Sequence, residues 1–272
     1  MRTRCQRYQG FTLLELIAAL VLLSVIGVGA VNYIRDGAKA YVTVASRDQM
    51  TQVARATIEK ISRSLRSALP GSVRVSGNCV EFVPVLASTI YLGDALQVAS
   101  AITVVDFLDA NSISPSRAAI YTLDASDVYS PVTSTSKLVR LAAAPIGSAV
   151  GGSRDVQFNA SHQFPAESPT QRIYFINEPE SYCVVGNELR RYRNYSGAQF
   201  VDPQPSPPSS PIDLLAEGVQ LNDNGAMVVP FQYTVGVGRS RPLVNIDLRF
   251  QHAAAQDEWL RFSHPVYLRG VP

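Results

Sequence analysis

The chain has 272 residues, 46% hydrophobic and 17% charged, enough for a membrane-spanning segment plus one sizeable domain with a buried core. Its formal net charge of +2 argues against a nucleic-acid-binding surface. No two of its histidines, His162, His252 and His264, have metal-ligand spacing, and the common hydrolase, CxxC and phosphate-loop motifs are absent. Composition and motifs therefore exclude most enzyme classes, and no catalytic residue is predicted.

A short basic segment precedes a long apolar one at the start of the chain. The first ten residues contain three arginines, and between residues 11 and 34 the only charged side chain is Glu15. About 24 residues at the helical rise span roughly 36 Å, which is enough to cross a bilayer. The positive-inside tendency predicts a cytoplasmic N-terminus and places everything after residue 34 outside the cytoplasm.

A secretory signal peptide and an ordinary single-span anchor are the two alternatives. The apolar run exceeds the ~7 to 15 residues usual in signal peptides. Against an ordinary anchor stands Glu15, because a carboxylate in a spanning segment costs about 2.5–3.5 kcal/mol at the bilayer centre and less near the edge. Glu15 is therefore a candidate functional residue.

The segment Gly10-Phe11-Thr12-Leu13-Leu14-Glu15 resembles the class III signal peptide of type IV pilins and type II secretion pseudopilins. The resemblance implies that a prepilin peptidase cleaves between Gly10 and Phe11 and then N-methylates the new amine of Phe11. It also implies an assembly role for Glu15, whose carboxylate neutralises that amine on a neighbouring subunit or on its own chain in a weakly screened helix bundle.

The same resemblance predicts the location and partners of the protein. We expect a bacterial inner-membrane protein with a cytoplasmic N-terminus and a periplasmic head, which later joins a pilus. Its partners would be the prepilin peptidase and N-methyltransferase, the inner membrane, and other minor and major pilins that contact the N-terminal helix. Loss of three basic side chains with the leader changes the formal charge from +2 to about −1, and we expect no nucleic-acid partner.

The apolar segment continues as an amphipathic helix. From Met50 to Leu69 apolar residues recur every three or four positions, and Pro70-Gly71 ends the pattern. We therefore predict one helix from Phe11 to about Leu69. The predicted regions are a leader (1–10), a transmembrane or filament-core helix (11–34), its amphipathic continuation (35–69) and a β-rich head domain (70–272).

Short β-type segments follow Pro70. The predicted strands are 72–75, 79–85, 101–108, 118–123, 137–141, 156–158, 172–176, 182–185, 188–192, 214–219, 227–237, 243–252 and 258–268. Val185-Gly186-Asn187-Glu188 predicts a tight hairpin, and the last three segments predict an antiparallel meander. The proline-rich segment 202–211 predicts an exposed loop. The fold class is α+β, with a long N-terminal helix packed on an antiparallel sheet.

Cysteine usage is consistent with export. Cys5 would leave with the leader, so Cys79 and Cys183 form the only pair available in an oxidising compartment. A disulfide between them would close a loop of about 100 residues, which the chain-entropy model credits with up to ~4.7 kcal/mol. The alternative is two separate buried thiols.

Two further motifs have a structural and a functional interpretation. The oxygen-rich Asn222-Asp223-Asn224-Gly225 lacks the EF-hand spacing, so a plain turn is favoured over a calcium site that would include Asp223 and Asn224. Arg190-Arg191-Tyr192-Arg193 is typical of a solvated strand rather than of a binding patch. No cofactor other than this candidate calcium ion is predicted.

The chain resembles the minor pilins of mannose-sensitive haemagglutinin (MSHA) pili and the minor pseudopilins of type II secretion. The resemblance lies in its large head and in diffuse similarity over several strands and the C-terminus. This resemblance favours a structural protein that starts or caps a filament, since a large head would crowd a repeating shaft. A binding module displayed at the tip and a membrane-anchored enzyme are the alternatives from other classes.

Overall fold

The computed structural model describes residues 12–193, 195, 213–223, 225–236, 241–251 and 259–270. The chain divides into two compact units, residues 1–50 and 51–272. A single long helix, α1 (Leu13–Arg66), begins in the first unit and continues into the second. Antiparallel β-structure makes up most of the second unit, so the predicted α+β class is confirmed.

The predicted C-terminal end of the long helix was three residues too late. Instead of continuing to Leu69, the chain leaves the helix after Arg66, and the Leu69 amide donates to the carbonyl oxygen of Val83 at 2.8 Å. Ala68 forms an isolated antiparallel bridge with Pro84. These long-range backbone bonds outweigh the helical tendency of the last apolar residues.

A five-stranded antiparallel sheet has the order β1-β2-β9-β10-β11. Its strands are β1 (Arg74–Ser76), β2 (Cys79–Phe82), β9 (Glu180–Val185), β10 (Glu188–Arg193) and β11 (Asp213–Glu217). Val185 pairs with Glu188, which confirms the predicted hairpin between β9 and β10. The buried face of α1 in this unit reaches the sheet, where Ser64 Oγ lies 2.9 Å from the Tyr182 hydroxyl.

Six strands form a closed antiparallel barrel of order β3-β4-β7-β6-β5-β8. They are β3 (Val85–Leu92), β4 (Ala99–Val105), β5 (Arg117–Ile120), β6 (Leu138–Ile146), β7 (Ser153–His162) and β8 (Arg172–Ile176). Its interior is filled by apolar side chains: Tyr91, Ile102, Val104, Ile120, Val139, Val156, Phe158, Ile173 and Phe175. This barrel was not predicted.

A three-stranded meander ends the chain. β14 (Phe231–Thr234), β15 (Leu243–Gln251) and β16 (Trp259–Tyr267) pair antiparallel in succession, as predicted, although His252 and Glu258 lie outside the described residues. A small ladder, β12 (Asn222–Asp223) with β13 (Ala226–Met227), precedes it. The proline-rich segment 202–211 also lies outside the described residues.

Two local features differ from the sequence-based expectation. The predicted strand 79–85 is two strands, because Pro84 has no amide to continue the ladder and the chain passes from the sheet into the barrel there. A short helix, α2 (Ala125–Tyr129), was missed. Asp124 caps it by accepting from the Ser126 and Asp127 amides, in a capping box completed by the Asp127 side chain.

Candidate assembly surface

The first turn of α1 carries the acidic residue of the leader motif. Thr12 caps the helix: its carbonyl oxygen accepts from the amides of Glu15 at 3.1 Å and Leu16 at 3.2 Å, and its Oγ1 lies 3.3 Å from the Glu15 amide nitrogen. A carboxylate in the first turn is favoured by the helix dipole. Glu15 therefore lies at the positive end of α1, while Gly10 and Phe11 lie outside the described residues.

Apolar side chains cover α1 on every side between Glu15 and Arg35. From Leu13 to Ile34 each large hydrophobic side chain is more than half exposed. By length and composition, α1 is the one helix among the described residues that could cross a membrane. A helix that is apolar all round requires lipid or other apolar helices around it, so this segment is a surface for insertion or assembly.

The second part of α1 has a different character. From residue 51 onward its buried side chains, Ala54, Thr57, Ile58, Ile61, Ser62 and Leu65, recur at three- and four-residue steps. This part of the helix belongs to the core of the second unit. The start of this buried pattern therefore agrees with the division of the chain after Met50.

A disulfide joins Cys79 and Cys183 across β2 and β9, where the two residues are direct antiparallel partners. The cross-link is buried, with Cys183 fully inaccessible, and Tyr192 and Tyr195 pack against it. The predicted pairing is confirmed. It ties the start of the head to a strand 104 residues further along the chain.

A buried polar network lies next to the disulfide. The Tyr195 hydroxyl donates to Glu81 Oε1 at 2.7 Å and lies 2.9 Å from Ser181 Oγ, while Arg74 Nε donates to Glu81 Oε2. Burial raises the pKa of Glu81, which is 1% exposed, and the bonds from Tyr195 and Arg74 partly oppose that rise. Burial also raises the pKa of Tyr195. Arg74 stacks on the Tyr129 ring at 3.9 Å.

Sequence reasoning missed this network. The only signal was a single acid, Glu81, inside the apolar strand Cys79–Phe82, since an acid at that position is rarely left unpaired when buried. Nothing in the sequence connected it with Tyr195, which lies 114 positions away. The network orders the head and gives no sign of chemistry on a substrate.

The two described histidines, His162 and His264, lie on different parts of the fold, and His252 lies outside the described residues. His162 is buried in the barrel, where its Nε2 lies 2.8 Å from the Ser136 carbonyl oxygen and its ring meets Phe164 at 4.6 Å. Burial lowers its pKa. His264 lies on β16, opposite Ile246 of β15. Among the described residues no group of three or more His, Cys, Asp or Glu could hold a metal ion.

The candidate calcium turn is described only in part. Asp223 pairs with Ala226 in the β12–β13 ladder, the Gly225 amide donates to Asn222 Oδ1 at 2.8 Å, and Asn224 lies outside the described residues. This bond belongs to a local turn, and calcium binding stays a prediction.

The arginines of β10 pair within the domain. Arg190 pairs with Glu188 and Arg191 with Glu180, each at 2.6 Å, and Arg193 pairs with Asp213 at 3.2 Å. These ion pairs are consistent with the interpretation of this segment as an ordinary strand surface.

Comparison with known protein families matches the start of the chain. The family model of the prokaryotic N-terminal methylation motif matches residues 5–31, which include the predicted cleavage site, Glu15 and most of the apolar run. Neither the curated proteins nor the solved structures gave a match. The motif supports a type IV pilin-type protein, a class that is generally structural, and implies processing by a prepilin peptidase and assembly with other pilins.

Proposed function

We propose that this chain is a minor type IV pilin that is cleaved after Gly10, N-methylated on Phe11 and used to initiate or cap a pilus. The observation that carries the proposal is the methylation motif at residues 5–31, joined to a helix whose first turn holds Glu15 and whose next 19 residues, 16–34, are uncharged and mostly apolar. Within this class, the large head and the diffuse sequence similarity favour a subunit resembling minor pilin O of MSHA pili.

The chemistry of assembly follows from the position of Glu15. Cleavage would create an ammonium group at Phe11, four residues before the carboxylate and at the same end of α1. Burying either charge alone in a bundle of apolar helices costs several kcal/mol, and pairing them removes most of that cost. A neighbouring subunit would therefore be accepted in the axial register that brings its amine to this carboxylate.

The role of Glu15 can be tested by substitution in the full chain. We expect Glu15→Gln to insert into the membrane normally but to be absent from pili sheared off the cells, because the neighbouring amine loses its counter-charge. Asp36→Asn, which removes an acid from the same helix beyond the apolar run, is the matched control and should assemble like the parent. Equal recovery of Glu15→Gln and the parent in pili would contradict the proposal.

Two other systems use the same leader and layout. A minor pseudopilin of type II secretion resembling pseudopilin J is the second candidate. The barrel supports a third, a tip-displayed adhesin, because it is a closed module inserted between β2 and β9 of the sheet, and Ile90, Leu92 and Val105 are exposed on its outside. Deleting the gene that encodes this chain and measuring pilus number, protein secretion and surface attachment would distinguish the three candidate functions.

A further inference from the structure

We propose that the outer edge of β16 and the adjacent flank of α1 form a docking site for an extended acidic segment of a partner protein, which adds to the meander as a fourth strand. A cavity of about 400 Å³ lies between these two elements, within the second unit. That volume is within the usual range for ligand sites. Its lining combines apolar, charged and hydroxyl side chains: Arg55, Ile58, Glu59, Ser62, Arg66, Phe262, Ser263 and His264.

The backbone of β16 has one open edge among the described strands. On β15, Asp247 and Gln251 donate their amides to Pro230 and Gly218, away from β16, so the odd-numbered residues of β15 face that side. The even-numbered residues of β15 therefore bond to β16, as the bond from the Leu268 amide to the Pro242 oxygen confirms at the end of the ladder.

On β16 the same alternation turns the odd-numbered residues outward. Their amide and carbonyl groups point to the edge of the sheet, and no strand of the described chain pairs with that edge. Trp259 and Ser263 supply amides there, whereas Pro265 has none. The edge can thus accept a strand along its first half, and Pro265 ends the pairing.

The cavity contains a buried hydroxyl without a described hydrogen-bond partner. Ser62 is 3% exposed, and its Oγ has no hydrogen-bond partner among the described residues. A buried hydroxyl without a partner costs free energy, which an incoming polar group would recover. Ser62 thus marks where a ligand atom is needed.

The helix flank of the cavity carries a net positive charge. Arg55, Glu59, Ser62 and Arg66 follow one another at three- and four-residue steps, so they form one stripe along the helix. Glu59 is paired with Arg63 at 2.6 Å, whereas neither Arg55 nor Arg66 forms an ion pair with a described residue. The flank therefore presents two uncompensated positive charges to the occupant.

The spacing of these charges describes the occupant. Eleven helical residues separate Arg55 from Arg66, about 16 Å along the axis, and four residues of an extended strand cover about 14 Å. Residues four apart also lie on the same face of a strand. The site thus fits a strand with two acidic side chains four positions apart and a polar side chain between them towards Ser62, while the alternate residues, on the opposite face of the strand, are β-branched and favour the extended conformation.

Binding can be measured on the full chain in detergent micelles. The probe is a labelled, acetylated and amidated peptide, Val-Asp-Val-Thr-Val-Asp-Val, and the control peptide has lysine in place of both aspartates. We expect binding of the acidic peptide alone, weakened about fivefold by Arg55→Gln or Arg66→Gln and more by both. Lys60→Gln, which removes an equal charge from another face of the helix, should leave the affinity unchanged.

Strand addition has its own readout. The acidic peptide should slow hydrogen exchange in residues 259–267, and Ser263→Pro should abolish both this protection and binding. That substitution removes an outward amide without touching the bonds to β15, so the melting temperature should remain close to that of Ser263→Ala. Failure of the acidic peptide to bind, equal binding by the arginine variants, or binding without protection of β16 would each overturn the proposal. Processing at Gly10 does not enter these measurements, so they are independent of the pilin assignment.

Discussion

The buried cross-link between Cys79 and Cys183 gives the most quantitative prediction. It closes a loop with a sequence separation of 104, for which the chain-entropy model gives about 4.7 kcal/mol of stabilisation at 25 °C. We expect the double variant Cys79→Ala/Cys183→Ala to lose between about 2 and 5 kcal/mol. With an m-value of about 3 kcal/mol per M for a head of this size, the urea midpoint should fall by about 0.7–1.7 M.

Urea titration of the full chain, with and without a thiol reductant, separates cross-linking from packing. The oxidised parent should have the highest midpoint, and the reduced parent should fall close to the double variant, which itself should not respond to the reductant. Any further difference between the reduced parent and the variant measures the lost sulfur contacts with Tyr192 and Tyr195. An oxidised parent with the same midpoint as the double variant would refute the reasoning.

Three further predictions concern the head. Burial lowers the pKa of His162, so its contribution to stability is present above about pH 6.5 and is lost on acidification. His162→Gln should therefore flatten the fall in unfolding free energy between about pH 7.5 and 5.5, by at most about 1.4 kcal/mol per pH unit, as followed by the urea midpoint. An unchanged slope would contradict this. Gly218→Ala should lower the unfolding free energy by more than about 2 kcal/mol, because its φ is +75° and a Cβ would lie 2.6 Å from a β15 carbonyl oxygen. Gly77→Ala, where φ is +54° and the surrounding space is open, is the control and should cost clearly less. Equal shifts in melting temperature would refute the steric reasoning. Glu81→Gln should lower the unfolding free energy of the head by about 2 kcal/mol in a urea titration, because the largely buried Arg74 loses the negative charge of Glu81. An unchanged midpoint would show that the Arg74–Glu81 ion pair does not stabilise the head.

Local patterns predicted much of the fold, and long-range pairing accounts for most of what was missed. The helix, the Val185–Glu188 hairpin and the final meander follow from periodicity and turn residues near one another in the chain. Barrel closure requires β3 to pair with β8, so that Thr89 meets Ile173, and no local pattern reports such a partner. The early end of α1 has the same origin, because Leu69 bonds to Val83.

The candidate sites that consist of a local sequence pattern could be predicted, and those formed by distant segments could not. The leader motif is a contiguous pattern, so Gly10, Phe11 and Glu15 could be singled out from sequence, and the disulfide followed from having only two cysteines after the leader. The edge of β16 and the flank of α1 could not be predicted, since the site exists only where two elements about 200 positions apart lie side by side. Serine and arginine are too common in helices to be informative alone.

The central claim is that this chain is processed as a prepilin, and intact mass analysis of the protein extracted from membranes tests it most directly. We expect the loss of residues 1 to 10 and the gain of one methyl group on Phe11, with both changes abolished when Gly10 is substituted. A full-length, unmethylated chain in cells with an active prepilin peptidase would contradict it.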